Sequence, residues 1–362
     1  MPIPIDESAM HRTIHRQPVD WRGLIARDPT TLDAAAAQLR KAARILLVGT
    51  GTSYHAAQLG ACLLRMAGRF AWAEHSHDFA SYPFPVGSDD AVVVVTHTGW
   101  KQYSVRCIQR ARATGAWCLA ITGENTSIAV DSIAVDGSPA SPDYILHTVE
   151  QEQSAAYTAS YTSALLVLAQ LASRLGATDI TAALDRLPTL AEEVLSREGE
   201  LRAWAHKADL TRRFMYVGAG LHGWTAAEGA LKAKEASYVT AEGMALEHWL
   251  HGPMAGAEPV DYFLLINVPG PFTARTAEIT RLVHEIGLNI FWVGMPPIPS
   301  TSLPGFSFGE TLEVLSPLVA VLPLQLLACY LAEARGVNPD IFHMDVEPYA
   351  RPVRRFLEQK QF

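Results

Sequence analysis

A chain of 362 residues, 49% hydrophobic and 18% charged, is long enough for two cores and too apolar to stay disordered. Its formal net charge of −8 excludes the basic surface that nucleic acid or an anionic membrane demands, so neither is expected as a partner. The start, Met1-Pro-Ile-Pro-Ile-Asp6, lacks a signal peptide's basic and apolar regions, and Cys62, Cys107, Cys118 and Cys329 form no C-x-x-C, which predicts buried free thiols in a reducing cytoplasm.

Residues 1–19 read as a lead segment. From there apolar, β-rich runs alternate with helical periods, the pattern of parallel sheets flanked by helices. Arg44-Ile-Leu-Leu-Val-Gly49-Thr-Gly51-Thr52-Ser53 predicts a strand, a glycine turn and a helix start. Backbone N–H groups and two hydroxyls there suit an anion, although a plain strand-to-helix turn needs the same glycines. Val92-Val-Val-Val-Thr96-His97-Thr98-Gly99 and Trp117-Cys-Leu-Ala-Ile-Thr-Gly123 predict two more strands ending in turns. An Ala/Leu-rich helix from Ser154 to Leu175 closes a first domain at 20–185, and a polar helical linker runs from Leu190 to Leu210.

The landmarks then recur. Phe214-Met-Tyr-Val-Gly218-Ala-Gly220, Phe263 to Gly270 and Ile290 to Gly294 repeat the three strand-then-glycine units at offsets of about 169 to 171, which predicts a duplicated α/β domain at 190–336. The apolar run Pro317 to Ala332 contains Pro323 and Gln325 and reads as a core helix, opened by Ser316-Pro317 and stopped by Gly336, not as a membrane span. Residues 337–362 read as a tail over the surface.

Chemistry concentrates in Glu228-Gly-Ala-Leu-Lys232-Ala-Lys-Glu235-Ala-Ser-Tyr238 and the following His251-Gly-Pro253. On a helix Glu228, Lys232 and Glu235 fall within about 60° of one another. Two carboxylates flanking an amine, with an imidazole from a loop, suit proton transfer. A solvated face carrying an i,i+4 Glu–Lys pair has the same spacing.

This segment resembles the sugar isomerase (SIS) domains, most closely the isomerase half of the glucosamine-6-phosphate synthases, where a Glu-Gly-Ala-Leu-Lys-x-Lys-Glu-x-Ser-Tyr helix precedes His-Gly-Pro. The likeness runs from Met10-His-Arg-Thr-Ile-His-Arg-Gln-Pro18 to Pro323-Leu-Gln-Leu-Leu-Ala328. It implies an α/β fold of two tandem SIS domains, each a five-stranded parallel sheet flanked by helices in a flavodoxin-like three-layer sandwich. It also implies a sugar or sugar-phosphate aldose–ketose isomerase, deaminase or deglycase that needs no cofactor. Glu235 would carry a proton between C1 and C2, and Lys232 would balance charge at the open-chain carbonyl. His251 would open the sugar ring, lent by the neighbouring subunit of a homodimer with shared sites. Substrate contacts fall, by the same resemblance, to Gly51, Thr52, Ser53, Thr96, His97, Thr98, Gly99, Lys101, Ser154, Tyr157, Thr158 and Glu228.

Several positions depart from the family pattern. Trp100 and Lys101 replace a small or acidic residue and a hydroxyl, and Tyr157 and Ala159 replace serine and lysine, which implies a remodelled sugar pocket. Arg351 stands where the synthases carry a Schiff-base lysine, and a guanidinium is a poor nucleophile. With no glutamine-hydrolysing part expected ahead of residue 1, isomerisation, deamination or deglycation fits better than synthesis. Two rival readings exist. Gly218-Ala-Gly220-Leu-His-Gly223 with Glu242 fits the fingerprint of an NAD-dependent oxidoreductase, and the altered loops suit a non-catalytic sugar-phosphate sensor. Glu247-His248-x-x-His251 is not H-E-x-x-H, so no metal is expected.

Overall fold

Ile45 to Val48 and Asp90 to Val95 are buried throughout, which is why these strands are continuous apolar runs rather than alternating ones. They belong to a computed structural model that describes residues 3–126, 128, 141–299 and 302–358. Its strands are β1 (Arg44–Gly49), β2 (Ala71–His75), β3 (Asp90–Val95), β4 (Trp117–Thr122), β5 (Tyr144–His147), β6 (Phe214–Gly218), β7 (Ala241–Ala245), β8 (Tyr262–Asn267), β9 (Asn289–Gly294) and β10 (Gly305–Ser307). They form two five-stranded sheets, β2-β1-β3-β4-β5 and β7-β6-β8-β9-β10, in which every neighbouring pair is parallel. The two sheets share one strand order, and helices flank both.

The chain divides into two compact units. Val19–Glu152, Ala159–Asp185 and His343–Phe362 hold the first sheet, while Met1–Pro18, Gln153–Thr158 and Arg186–Phe342 hold the second. In the first-sheet unit Leu46, Val48, Val92 and Val94 pack with Phe79, Cys107 and Ile108. In the second, Val217, Phe263 and Leu265 pack with Trp249, Ile279 and Val283.

Three sequence expectations need correction. The Ala/Leu-rich helix spans Ala159–Leu175 and does not begin at Ser154. Glu152 Oε1 accepts the Ser160 N–H at 2.7 Å, and Ser154 Oγ accepts the Ala156 N–H at 3.2 Å. A carboxylate on a first-turn amide fixes the helix start there, and the serine turn holds the preceding residues out of it. The polar linker is instead two amphipathic helices, Leu187–Ser196 and Glu198–Ala205, which bury Leu190, Val194 and Leu201 within the second-sheet unit. Cys62 is only half-buried, its sulfur 2.9 Å from Arg65 Nη2, while the other three free cysteines are buried. In the tail, Ala350–Glu358 forms a helix with no buried residue.

The helix Ser316–Arg335 ends at Gly336, whose φ of 72° is left-handed. Among the described residues it alone is long and apolar enough to cross a membrane, yet 89% of that window is buried inside the fold.

Two glycines set opposite limits. A Cβ on Gly49 would stand 2.4 Å from the carbonyl carbon and oxygen of Ser53, backbone atoms that cannot step aside. Gly23, in the helix Ala9–Ile25, has nothing within 4 Å of that position. Gly49→Ala is therefore expected to lower stability by about 1–3 kcal/mol, and Gly23→Ala to raise it by about 0.5–1 kcal/mol. Urea unfolding checks both; midpoints moving in the same direction would contradict the packing argument.

Candidate active site

The helix His222–Ser237 is rich in alanine and glycine, so it packs closely on most sides. At Gly229 a Cβ would come within 2.7 Å of Leu324 and 3.1 Å of Tyr216, which places β6 and the Ser316–Arg335 helix directly against it. Its charged stripe is consequently buried: Glu228 is 0% and Lys232 1% exposed. Lys232 Nζ lies 3.6 Å from Glu228 Oε1 and donates to Glu235 Oε2. Glu235 keeps 21% of its side chain exposed. The structure thus brings together the three residues whose spacing predicted it. Their net charge is one negative, and the single ammonium sits between two carboxylates, the arrangement burial of such groups requires. Glu228, one of the expected substrate contacts, is enclosed beside Lys232 as its buried counter-charge.

His251 is placed differently. It follows the short helix Leu246–Leu250, leaves 75% of its side chain exposed, and lies with Nε2 3.4 Å from Glu247 Oε2. Arg275 Nε donates to Glu247 at 2.6 Å and holds that carboxyl below its usual range. Among the described residues, no hydrogen bond or ion pair joins His251 to Glu228, Lys232 or Glu235. The triad and the imidazole are not brought into contact by this chain alone.

Sequence reasoning missed His222, at the start of the same helix. Its Nε2 is 3.0 Å from Ser316 Oγ, and burial pushes its pKa down to about 4. Nothing in its surroundings in sequence marks it, because Ser316 comes from another helix.

In the first-sheet unit the candidate anion loops follow β1, β3 and β4, at their carboxyl ends. Gly51, with φ of 56°, precedes the helix Thr52–Met66, so Thr52 and Ser53 occupy its first turn. After β3 the chain turns at Gly99, φ 70°. Thr96 Oγ1 and Thr98 Oγ1 are buried and meet no hydrogen-bond partner among the described residues. Buried hydroxyls are normally satisfied, so this pair stands out at the end of β3. The loop is pinned through the His97 carbonyl, which accepts from Gly123 N at 3.0 Å and Gln151 Nε2 at 2.7 Å. His97 Nε2 in turn accepts the Glu152 N–H at 3.2 Å. Lys101 stands at the N-cap of the helix Gln102–Ala113 and is half-buried. Gln151 is a positioning residue that spacing could not reveal.

Ser154, Tyr157 and Thr158 lie in the stretch that belongs to the second-sheet unit. The Thr158 carbonyl accepts from Gln325 Nε2 at 3.3 Å, and Gln325 Oε1 accepts from Gln17 Nε2 at 2.8 Å. This buried amide pair fixes the backbone under the three candidates.

Residues 38–174 match the SIS domain family. A glutamine–fructose-6-phosphate aminotransferase (isomerizing) of Thermococcus kodakarensis is 32% identical over 346 residues, covering 91% of this chain and 56% of the relative. The chain therefore spans little more than half the length of that protein. Among solved structures, the C-terminal domain of glucosamine-fructose-6-phosphate aminotransferase from Francisella tularensis superposes with a TM-score of 0.83 at 20% identity, covering 93% of this chain and all of that one (100%). Tagatose-6-phosphate ketose/aldose isomerase from Escherichia coli gives 0.75 at 19% identity, covering 95% and 99%. At those identities the structures establish the shared fold.

Two stability measurements test the site. Lys232→Met leaves two carboxylates without their shared ammonium and should cost on the order of 3–5 kcal/mol. Adding Glu228→Gln should recover part of that loss; a cost for Lys232→Met under about 1 kcal/mol would rule out electrostatic coupling of the kind described. His222 has a folded pKa below the usual 6.5, so the unfolded chain binds more protons between about pH 4 and 6.5. Its contribution is complete above that window and is lost as pH falls through it. His222→Gln should flatten the stability–pH slope there, measured by urea titration at stepped pH.

Proposed function

Through residues 38–174 the chain belongs to the SIS domain family, and on that premise we propose that it is a sugar isomerase acting at the C1–C2 end of an open-chain, phosphorylated sugar. Deamination of an amino sugar phosphate and deglycation are the neighbouring reactions that the same proton shuttle serves. The two sheets, with one strand order and recurring glycine turns, are read as tandem copies of the SIS domain.

The observation that carries this reading is the Glu228–Lys232–Glu235 triad. Glu235 is its one partly open member, and Lys232 commits one carboxylate oxygen to a fixed direction. In the proposed step Glu235 removes the C2 proton of the aldose and the electron pair moves through C1 to the carbonyl oxygen, giving an enediolate whose O1 takes up the proton that the C2 hydroxyl gives up as the ketone forms. Return of the proton to C1 yields the ketose. Lys232 positions the base, and Glu228 keeps Lys232 from being an unbalanced buried cation. His251, exposed on its loop, is read as the ring-opening group, available to a second copy of the chain as in the shared sites of a homodimer.

The unpartnered hydroxyls of Thr96 and Thr98, with the helix start at Thr52 and Ser53, support an anionic substrate group. Lys101 and Trp100 make that loop unlike the usual one, so the sugar is expected to differ from the commonest family substrate. The oxidoreductase reading rests on the Gly218-to-Gly223 fingerprint alone, a weak signal by itself.

Deuterium exchange at C2 in D2O, followed by NMR over a panel of hexose and amino-hexose phosphates, tests the reading. Glu235→Gln should slow exchange by about 10²–10⁴-fold while substrate affinity stays within roughly threefold, a difference under about 0.7 kcal/mol. Exchange at the wild-type rate in Glu235→Gln would remove Glu235 from the reaction.

A further inference from the structure

Far from the proton-transfer helix in sequence, three elements of the second-sheet unit converge on one oxygen atom. His11 and His15 stand one turn apart on the helix Ala9–Ile25, so their imidazoles share a face. Their rings lie 4.4 Å apart. Glu198 opens the helix Glu198–Ala205, and Tyr330 comes from the helix Ser316–Arg335. His11 Nε2 is 3.1 Å and His15 Nε2 2.9 Å from Glu198 Oε2, and the Tyr330 hydroxyl donates to that same atom. Two imidazole nitrogens and a hydroxyl thus crowd a single carboxylate oxygen. Among the described residues no hydrogen bond reaches the other oxygen, Oε1.

We propose that His11, His15 and Glu198 bind a divalent transition-metal ion, with zinc the best match to their chemistry. All three ligand atoms lie within 4.8 Å of one another. In a tetrahedral site with bonds of about 2.0–2.2 Å, neighbouring ligand atoms are roughly 3.3 Å apart. The two imidazole–carboxylate distances fall within a few tenths of an ångström of that edge. Two imidazole nitrogens and one carboxylate form a donor set for zinc, cobalt or nickel, whereas magnesium and calcium take oxygen. Asp6 Oδ1, 3.9 Å from His11 Nε2 on a side chain 68% exposed, can swing into the fourth position; water fills it otherwise. The side chains of His15 and Glu198 are 36% and 28% exposed, so an ion has access from solvent. Bound there, it staples the N-terminal helix to the helix that Glu198 opens.

The test uses the full chain, stripped with a chelator, dialysed and titrated with zinc chloride in calorimetry and thermal melts. One equivalent should bind, and the melting temperature should rise with the zinc concentration by mass action. Cobalt in place of zinc should give the strong visible absorption of a tetrahedral ion. His15→Ala should weaken zinc binding more than tenfold and abolish the melting shift, while His248→Ala, at a histidine outside the cluster, should change neither. Glu198→Gln, which preserves shape and acceptor, should also lose the ion; the metal-free melting temperature of each variant separates lost binding from lost fold. Equal zinc affinity in wild type and His15→Ala overturns the proposal. So does an unmoved melting temperature at saturating zinc, which would leave the cluster as a hydrogen-bonded latch.

Discussion

In the second-sheet unit one carboxylate and one ammonium, Glu228 and Lys232, have left water, and a second carboxylate, Glu235, is only partly open. A buried charge costs several kcal/mol unless an opposite charge meets it, so Glu228, Lys232 and Glu235 must stay on one face of one helix. That helix must also be packed so tightly that the face stays covered. Alanine and glycine on its remaining sides permit this, and Gly229 lets β6 and the Ser316–Arg335 helix close on it. The outcome is one carboxylate, Glu235, fixed in direction and partly open, at the end of a chain of charges with no freedom to rearrange. A carboxylate held in that way has the fixed aim that proton transfer calls for.

The first-sheet unit solves a different problem with the same architecture. Parallel strands end in turns whose amides and hydroxyls face one edge, and glycines at 51 and 99 allow left-handed turns there. The His97 carbonyl is anchored by donors from the turn after β4 and from Gln151, so the loop carrying Thr96 and Thr98 is rigid although it lies outside regular structure. Loops of this kind can change their side chains, as at Trp100 and Lys101, without disturbing the strands beneath.

Local pattern carried a large part of this. The apolar runs at β1, β3, β4, β6, β8 and β9 were legible because strands covered on both faces need no polar alternation. Gly336 was legible as a helix stop because few other residues tolerate its backbone angles. The start of the Ala159–Leu175 helix was not, since its N-terminal amides are met by the carboxylate of Glu152, reached through a turn that composition does not announce. The stretch Leu187–Ala205 looked like a linker because its polar residues are plain in the string, while its buried stripe has meaning only against a partner surface.

The sequence alone determined the alternation of strands and helices, the repetition of the glycine turns and the placing of Glu228, Lys232 and Glu235 on a common face, because each depends on backbone periodicity over a few residues. Tertiary structure decided which of those charges are enclosed, and it left His251 in solvent beside Glu247. It also paired Gln17 with Gln325 across 308 positions and drew His11 and His15 to Glu198, the latter pair 183 positions apart. Contacts between distant segments follow from how whole faces pack, and no local spacing encodes that packing.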